Sequence, residues 1–227
     1  MGPTVDGRRP GGDQVIARPS RFRLRHDHHF DRLDISALGS LDQIVERIVA
    51  HSATLTQLPP PNNAKASAVL IALFQGEDGV EVVLTRRSVH LSNHKGEISF
   101  PGGRIDSQET AVETALREAK EEIDLNPSCV EVIGQLVATS TLVSNSHIVP
   151  VVARLRDRPS LSVRNDEVDR VFSVPLSELT RSDTYSQEFW GAPPDEHCLH
   201  FFNLDDETIW GVTGRMLYQL LSVALVA

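Results

Sequence analysis

The sequence predicts one α/β domain built on a mixed β-sheet, and three observations carry that prediction. Segments of strand-like and helix-like periodicity interleave, without the regular alternation of a doubly wound fold. A helix with an apolar stripe at residues 108–123 follows a Pro-Gly-Gly loop in mid-chain. At 227 residues the chain is long enough for one core of ordinary size. The expected division is a flexible Arg-rich tail at residues 1–35, then a domain at 36–227 whose catalytic core spans about 66–220.

Hydrophobic residues at 40% and charged residues at 23% fit a soluble globular chain. A formal charge of -9 and a pI near 5.4 argue against a nucleic-acid backbone as partner, so any phosphate must be handled locally. Cys129 and Cys198 match no zinc spacing and fit a reducing compartment. The first 29 residues hold no apolar stretch of the signal-peptide kind. The longest apolar run, 216–227, is only about half the roughly 20 residues of a membrane span. The expectation is therefore a cytoplasmic protein with no membrane partner.

Arg8, Arg9, Arg18, Arg21, Arg23 and Arg25 lie among glycines and prolines with little to bury, so residues 1–29 read as a mobile tail dispensable for folding and catalysis. His26, Asp27, His28 and His29 carry metal-binding side chains but lack the i, i+4 spacing of a helical site. From Ser40 onward Leu41, Ile44, Val45, Ile48 and Val49 recur at helical spacing, and Ser40 with Gln43 predicts a capping box. Residues 58–63, rich in Pro and Asn, end that helix, and strands follow at 68–74 and 80–85 around a turn at 76–79. The helix at 108–123 sets Val112, Ala115, Leu116, Ala119 and Ile123 on one face. Strands are then expected at 130–138, 148–155 and 171–174, a helical turn at 176–179, and a terminal helix at 213–227.

The mid-chain helix carries the chemistry. At 100° per residue Glu118, Glu121 and Glu122 share a sector of roughly 100°, with Glu122 nearest the apolar stripe. Such neighbours repel by a few tenths of a kcal/mol per pair, so the cluster calls for open solvent or a cation. A Glu-rich helix alone is ordinarily a solvated face. Mg2+, however, takes oxygen ligands and is usually held by one or two carboxylates, waters and substrate phosphates, and Glu118 with Glu122 suits such a partial cage. Arg117 can pair with Glu109 or Glu113 and hold the helix start, or form a plain surface ion pair. Gly102 and Gly103 let backbone approach a ligand closely and offer carbonyl oxygens to a metal.

In order, Gly103, five residues, Glu109, seven residues, then Arg117-Glu118-Ala119-Lys120-Glu121-Glu122 resembles the Nudix box. Ile123 and Leu125 continue the pattern, while Asp124 stands where the family has a glycine that ends the helix in a left-handed conformation. Asp tolerates that conformation better than most residues, so mild strain and retained chemistry are expected. The resemblance implies a mixed sheet sandwiched between α-helices. It also implies hydrolysis of nucleoside diphosphates linked to another group, with Mg2+ or Mn2+ held by Glu118, Glu121 and Glu122. Glu121, Glu122, Arg117 and Glu109 form the implied catalytic set, and the base stays open among Glu121, Glu122, Asp166 and Glu167.

A second resemblance lies upstream. Residues 83–88, Leu91, His94, Gly96 and Phe100-Pro101-Gly102-Gly103 resemble the coenzyme A diphosphatase branch, as do residues 165–176 and 209–217. Ser92 departs from it, standing where the branch has a substrate-binding arginine; loss of a planar phosphate donor is not conservative. Arg86, Arg87, His94 and Lys95 keep the segment cationic and, with Gly102 and Gly103, are the candidate substrate-binding residues. The implied partner is a small nucleotide, the implied products are 4′-phosphopantetheine and adenosine 3′,5′-bisphosphate, and a homodimer is the family-level expectation. Another nucleotide substrate (NADH, ADP-ribose or a nucleotide sugar) and a non-catalytic nucleotide-binding domain are the alternatives, the latter disfavoured by the complete set Arg117, Glu118, Glu121 and Glu122. Trp210 is expected to pack beneath the terminal helix rather than to stack on substrate.

Overall fold

A computed structural model describes residues 9–25, 30–57, 59–61, 63–141 and 145–225; the His26–His29 cluster lies outside them. In chain order the elements are β1 (Phe22–Arg25), α1 (Leu41–Thr54), β2 (Lys65–Gly76), β3 (Gly79–Arg87), β4 (Ile98–Ser99), β5 (Gly102–Arg104), α2 (Ala111–Ile123), β6 (Val130–Gln135), β7 (Thr139–Ser140), β8 (Ser146–Leu155), β9 (Val168–Pro175), α3 (Leu176–Leu179), β10 (Tyr185–Trp190), β11 (His197–Asn203), β12 (Thr208–Ile209) and α4 (Gly211–Leu225).

The main sheet runs β4-β3-β2-β8-β6, with β5 also on β2, β7 on β8 and β9 on β3. Only β2 and β8 pair in parallel, so the sheet is mixed. Side chains alternate across β2. Ala68, Leu70, Ala72 and Phe74 join Ala115, Ala119 and Ile123 of α2, whereas Ile71 and Leu73 join Ile44 and Ile48 of α1 and Leu217 and Leu221 of α4. Helices cover both faces, which is why β2 reads as a continuous apolar run. Burying a side chain such as Ile123 contributes roughly 1.5–3 kcal/mol, and α2 is thereby pressed onto the sheet beside β5.

Several boundaries differ from expectation for local reasons. α2 starts at Ala111 because Thr110 caps it: the Thr110 hydroxyl accepts the Glu113 N–H at 3.2 Å, and the Glu113 carboxylate accepts the Thr110 N–H at 2.8 Å. Glu113 is thus engaged at the cap and not with Arg117. In α1 the Ser40 hydroxyl accepts the Gln43 N–H, but the core face is Leu41, Ile44 and Ile48, with Val49 48% exposed. β6 ends at Gln135, short of residue 138.

A second sheet, β1-β10-β11-β12, was not legible as strands. Polar groups are buried in it beside Phe201, Phe202 and Ile209: the Tyr185 hydroxyl meets His200 Nδ1 at 2.8 Å, Gln187 donates to Tyr185 at 3.0 Å, and Glu188 is buried. Apolar alternation, the usual strand signal, is therefore broken. The same sheet takes in part of the expected tail. β1 pairs antiparallel with β10 from Phe22↔Trp190 to Arg25↔Gln187, and Arg18 binds buried Glu188 at 2.8 Å. Arg9 reaches Glu178 at 2.6 Å and Asp205 at 3.0 Å. Ion pairs and backbone pairing, not apolar burial, dock residues 9–25. Trp210 stacks on Phe201 at 6.0 Å and lies 5.9 Å from Trp190, joining this sheet to the start of α4. Among the described residues no helix is long and apolar enough to cross a membrane.

Candidate active site

Packing places α2 with its carboxylate edge over the Gly-Gly strand. β5 pairs with β2 through Val69↔Gly102 and Ala68↔Gly103, and at Gly102 a Cβ would stand 2.4 Å from the Ala68 carbonyl oxygen. At Gly103 a Cβ would stand 2.3 Å from Glu118 Oε1, so the absence of a side chain there makes room for that carboxylate. The Gly102 N–H donates to Glu122 Oε2 at 3.1 Å.

Arg117 organises the rest. Its Nε and Nη2 donate to the two oxygens of Glu109 at 2.8 and 3.0 Å, and its Nη1 donates to Glu118 at 2.9 Å and Glu121 at 3.1 Å. The Arg117 guanidinium and the Thr114 hydroxyl pull the Glu109 carboxyl down to about 2. Glu122 goes the other way. It is 3% exposed, and burial, opposed by the Gly102 N–H and Arg87 and reinforced by Glu118 and Glu167, pushes its carboxyl up to about 8. Burial likewise raises Glu118, against the pull of Arg117 and with Glu121 and Glu167 adding repulsion. The edge of α2 is therefore short of positive charge.

The helix ends as its Asp predicts. Asp124 is left-handed at φ 57°, its N–H donates to the Lys120 carbonyl at 3.2 Å, and the Leu125 N–H donates to the Ala119 carbonyl at 3.3 Å. Lys120 at 2.5 Å and Arg164 pair with the Asp124 carboxylate, offsetting a negative charge at a helix C-terminus. The Arg164 N–H also donates to the Glu122 carbonyl at 3.0 Å, bringing the loop that carries Glu167 against the helix. The Ser88 N–H donates to the Glu167 carbonyl at 2.8 Å, so that loop also borders the end of β3. The charge of Glu167 in this loop acts on both Glu118 and Glu122.

The cationic segment divides. Arg87 Nε is buried without a hydrogen-bond partner, and its charge acts on Glu122. Arg86 instead pairs with buried Glu207 at 3.3 Å, and His94 pairs with Glu97 at 2.9 Å. Lys95 and Ser92 are exposed, with the Asn93 amide donating to the Ser92 hydroxyl at 3.3 Å. The structure thus gathers Glu109, Arg117, Glu118, Glu121, Glu122, Gly102, Gly103 and Arg87, and gives Arg86 and His94 carboxylate partners of their own.

The site is thus a carboxylate-edged helix laid over a Gly-Gly strand on one face of a mixed sheet. Residues 64–207 match the NUDIX domain family, and the chain belongs to it. Nudix hydrolase 3 of Caenorhabditis elegans is 35% identical over 70% of this chain and 72% of its own length. The mitochondrial Nudix hydrolase 15 of Arabidopsis thaliana is 36% identical over 75% of this chain and 62% of its own. The Nudix hydrolase NudL of Photorhabdus laumondii, itself uncharacterised, is 34% identical over 72% and 90%. The chain is accordingly an enzyme that hydrolyses nucleotide diphosphate compounds, a class that uses divalent metal ions.

Residues at the α2 edge fit such an ion. Among the described residues no three His, Cys, Asp or Glu side chains are grouped closely enough to hold a metal ion. The donors on offer are carboxylate oxygens, the kind that Mg2+ and Mn2+ take, and the space left at Gly103 sets Glu118 against the strand to which Glu122 is bonded.

Proposed function

We propose that this enzyme hydrolyses the diphosphate of coenzyme A or its derivatives, giving 4′-phosphopantetheine and adenosine 3′,5′-bisphosphate. The observation that supports it is the pairing of Arg87 with Glu122: a half-buried arginine whose buried Nε has no hydrogen-bond partner, its charge acting on a buried carboxyl, at the end of the strand bearing the branch motif. An anionic substrate approaching the carboxylates needs such a cation to dock.

Glu118 and Glu122, with Glu121, would hold Mg2+ or Mn2+, which neutralises phosphate oxygens and lowers the pKa of water when bound. The chain's own groups do the positioning. Arg117 keeps Glu118 and Glu121 aimed together, the Gly102 N–H orients Glu122, and Gly103 leaves space above Glu118. Water adds to one phosphorus, the bridging P–O bond breaks, and the water's proton passes to a carboxylate, with Glu167 in the bordering loop suited to receive it. Exposed Ser92, which cannot supply a bidentate phosphate contact, favours a second reading in which NADH, ADP-ribose or a nucleotide sugar is cleaved at the same site.

The test is a panel of coenzyme A, NADH, ADP-ribose and nucleoside triphosphates with purified protein and Mg2+ or Mn2+, products identified by mass. Coenzyme A as the best substrate supports the reading, and a clear preference for another member replaces it. Undiminished turnover in excess EDTA would remove the metal from the scheme.

A further inference from the structure

We propose that residues 9–14 are a strap that positions the substrate-side loop 88–97, with Gln14 as the positioning residue. The loop closes on the end of β3. His94 and Gly96 are left-handed at φ 56° and 66°, the Gly96 N–H donates to the Arg87 carbonyl at 3.1 Å, and the Arg87 N–H donates to the Glu97 carbonyl at 2.9 Å. From outside, the Gln14 amide donates to the Gly96 carbonyl at 2.8 Å. That bond spans from the N-terminal segment to the turn packed on Arg87.

Gln14 is itself held in place. The Arg9 N–H donates to the Asp183 carbonyl at 3.0 Å and its guanidinium pairs with Glu178 and Asp205. The Gly11 N–H donates to the Leu204 carbonyl at 2.8 Å, and the Gly12 N–H to the Thr208 hydroxyl at 3.2 Å. A Cβ at Gly12 would stand 2.9 Å from the Asp206 carbonyl oxygen and 3.0 Å from Glu207 Cα, so only glycine allows this approach. The stretch it lies on carries Glu207, the buried partner of Arg86 and of Arg170. Residues 9–14 therefore reach both anchors of the cationic wall: the turn behind Arg87 and the backbone at Glu207, whose carboxylate holds Arg86. A docked strap that fixes a binding loop lowers the entropy lost when substrate orders it.

The inference rests on residues 86–97 being the substrate-side wall, but not on coenzyme A being the substrate. In full-length protein, Gln14→Met keeps side-chain length and removes the donor, while Gly12→Val lifts the strap sterically. With the substrate the enzyme turns over best, each should raise KM about three- to tenfold, the worth of one neutral hydrogen bond, with kcat within about twofold. Amide hydrogen exchange should quicken in residues 88–97, and the melting temperature of Gln14→Met should stay near that of the parent. Arg87→Ala is run alongside and should raise KM on its own. If it does while both strap variants leave KM and exchange unchanged, the strap inference is overturned and the wall stands. If Arg87→Ala leaves KM unchanged, the wall reading fails and the strap has nothing to position. A parallel fall in kcat and melting temperature in Gln14→Met would show a merely structural contact and also overturn it.

Discussion

Glu122 Oε2 accepts the Gly102 N–H at 3.1 Å, a bond that fastens the buried edge of α2 to the strand β5. Neighbouring packing does the rest: Gly103 leaves the space that Glu118 occupies, so two carboxylates are brought to one strand by two adjacent glycines.

Replacing Glu122 by Gln keeps an acceptor for Gly102 and removes a carboxyl that can ionise. Turnover should fall on the order of a hundredfold or more, as for loss of a positioned acid/base or ligand group. Thermal stability should hold near pH 4.5 and below; because a carboxyl pushed up to about 8 stays mostly neutral in the folded chain while the unfolded chain ionises it, the variant should gain on the parent as pH rises from about 4.5 to about 8. Steady-state kinetics and a melting curve on the same sample check both; near-normal turnover would falsify the placement of Glu122 in the site.

The α2 edge was legible because its information is local. Glu118, Glu121 and Glu122 share a sector by helical geometry alone, and β2, covered on both faces, advertises itself as an apolar run from Ala68 to Phe74. What was hidden depends on partners distant in sequence. Glu188 reads as a surface acid until Arg18 is placed against it, and β10 reads as loop until β1 pairs with it. The pairing of Arg86 with buried Glu207 was hidden too, because nothing near Arg86 in sequence announces that carboxylate. The Thr110 cap is a different case: Thr110 and Glu113 stand at capping-box spacing, a signal overlooked because helix propensity continues back to residue 108.

Glu109 should register in acid. Its folded value of about 2 lies below the ordinary 4.5, so it stabilises the fold above about 4.5 and loses that contribution as pH falls through about 2. In melting curves taken from about pH 6 downward, the parent should lose stability more steeply than Glu109→Gln across that window, and the two should converge near its lower end. Curves that stay parallel would mean that the Arg117 and Thr114 contacts do not depend on the charge of Glu109.

Asp124 offers a test of the helix end. Any residue with a Cβ pays about 1–2 kcal/mol in the left-handed region, and Asp124 offsets this through Lys120 and Arg164. Asp124→Gly relieves the backbone but loses the pairs, so urea denaturation should place it within about 1 kcal/mol of the parent. Asp124→Ala keeps the backbone cost and loses the pairs, and should be lower than the glycine variant by about 1–2 kcal/mol. An alanine variant as stable as the glycine variant would contradict the left-handed cap.

Ser92 bears most directly on substrate choice. It is exposed on the loop between Arg87 and Gly96, in reach of solvent and held only by the Asn93 amide at 3.3 Å among the described residues. An arginine there would add a planar donor to a wall on which Arg86 and His94 are already engaged by Glu207 and Glu97. A charge-assisted phosphate contact is worth roughly 1.5–3 kcal/mol, so Ser92→Arg should raise kcat/KM by about tenfold or more on a substrate with an extra phosphate to meet it. Coenzyme A carries a 3′-phosphate and NADH does not, so the gain should favour coenzyme A, and the native enzyme should already prefer coenzyme A to its 3′-dephospho form. Equal native efficiencies on those two, together with an equal gain on coenzyme A and NADH in Ser92→Arg, would assign the cationic wall to the diphosphate alone and return the substrate to the wider nucleotide class.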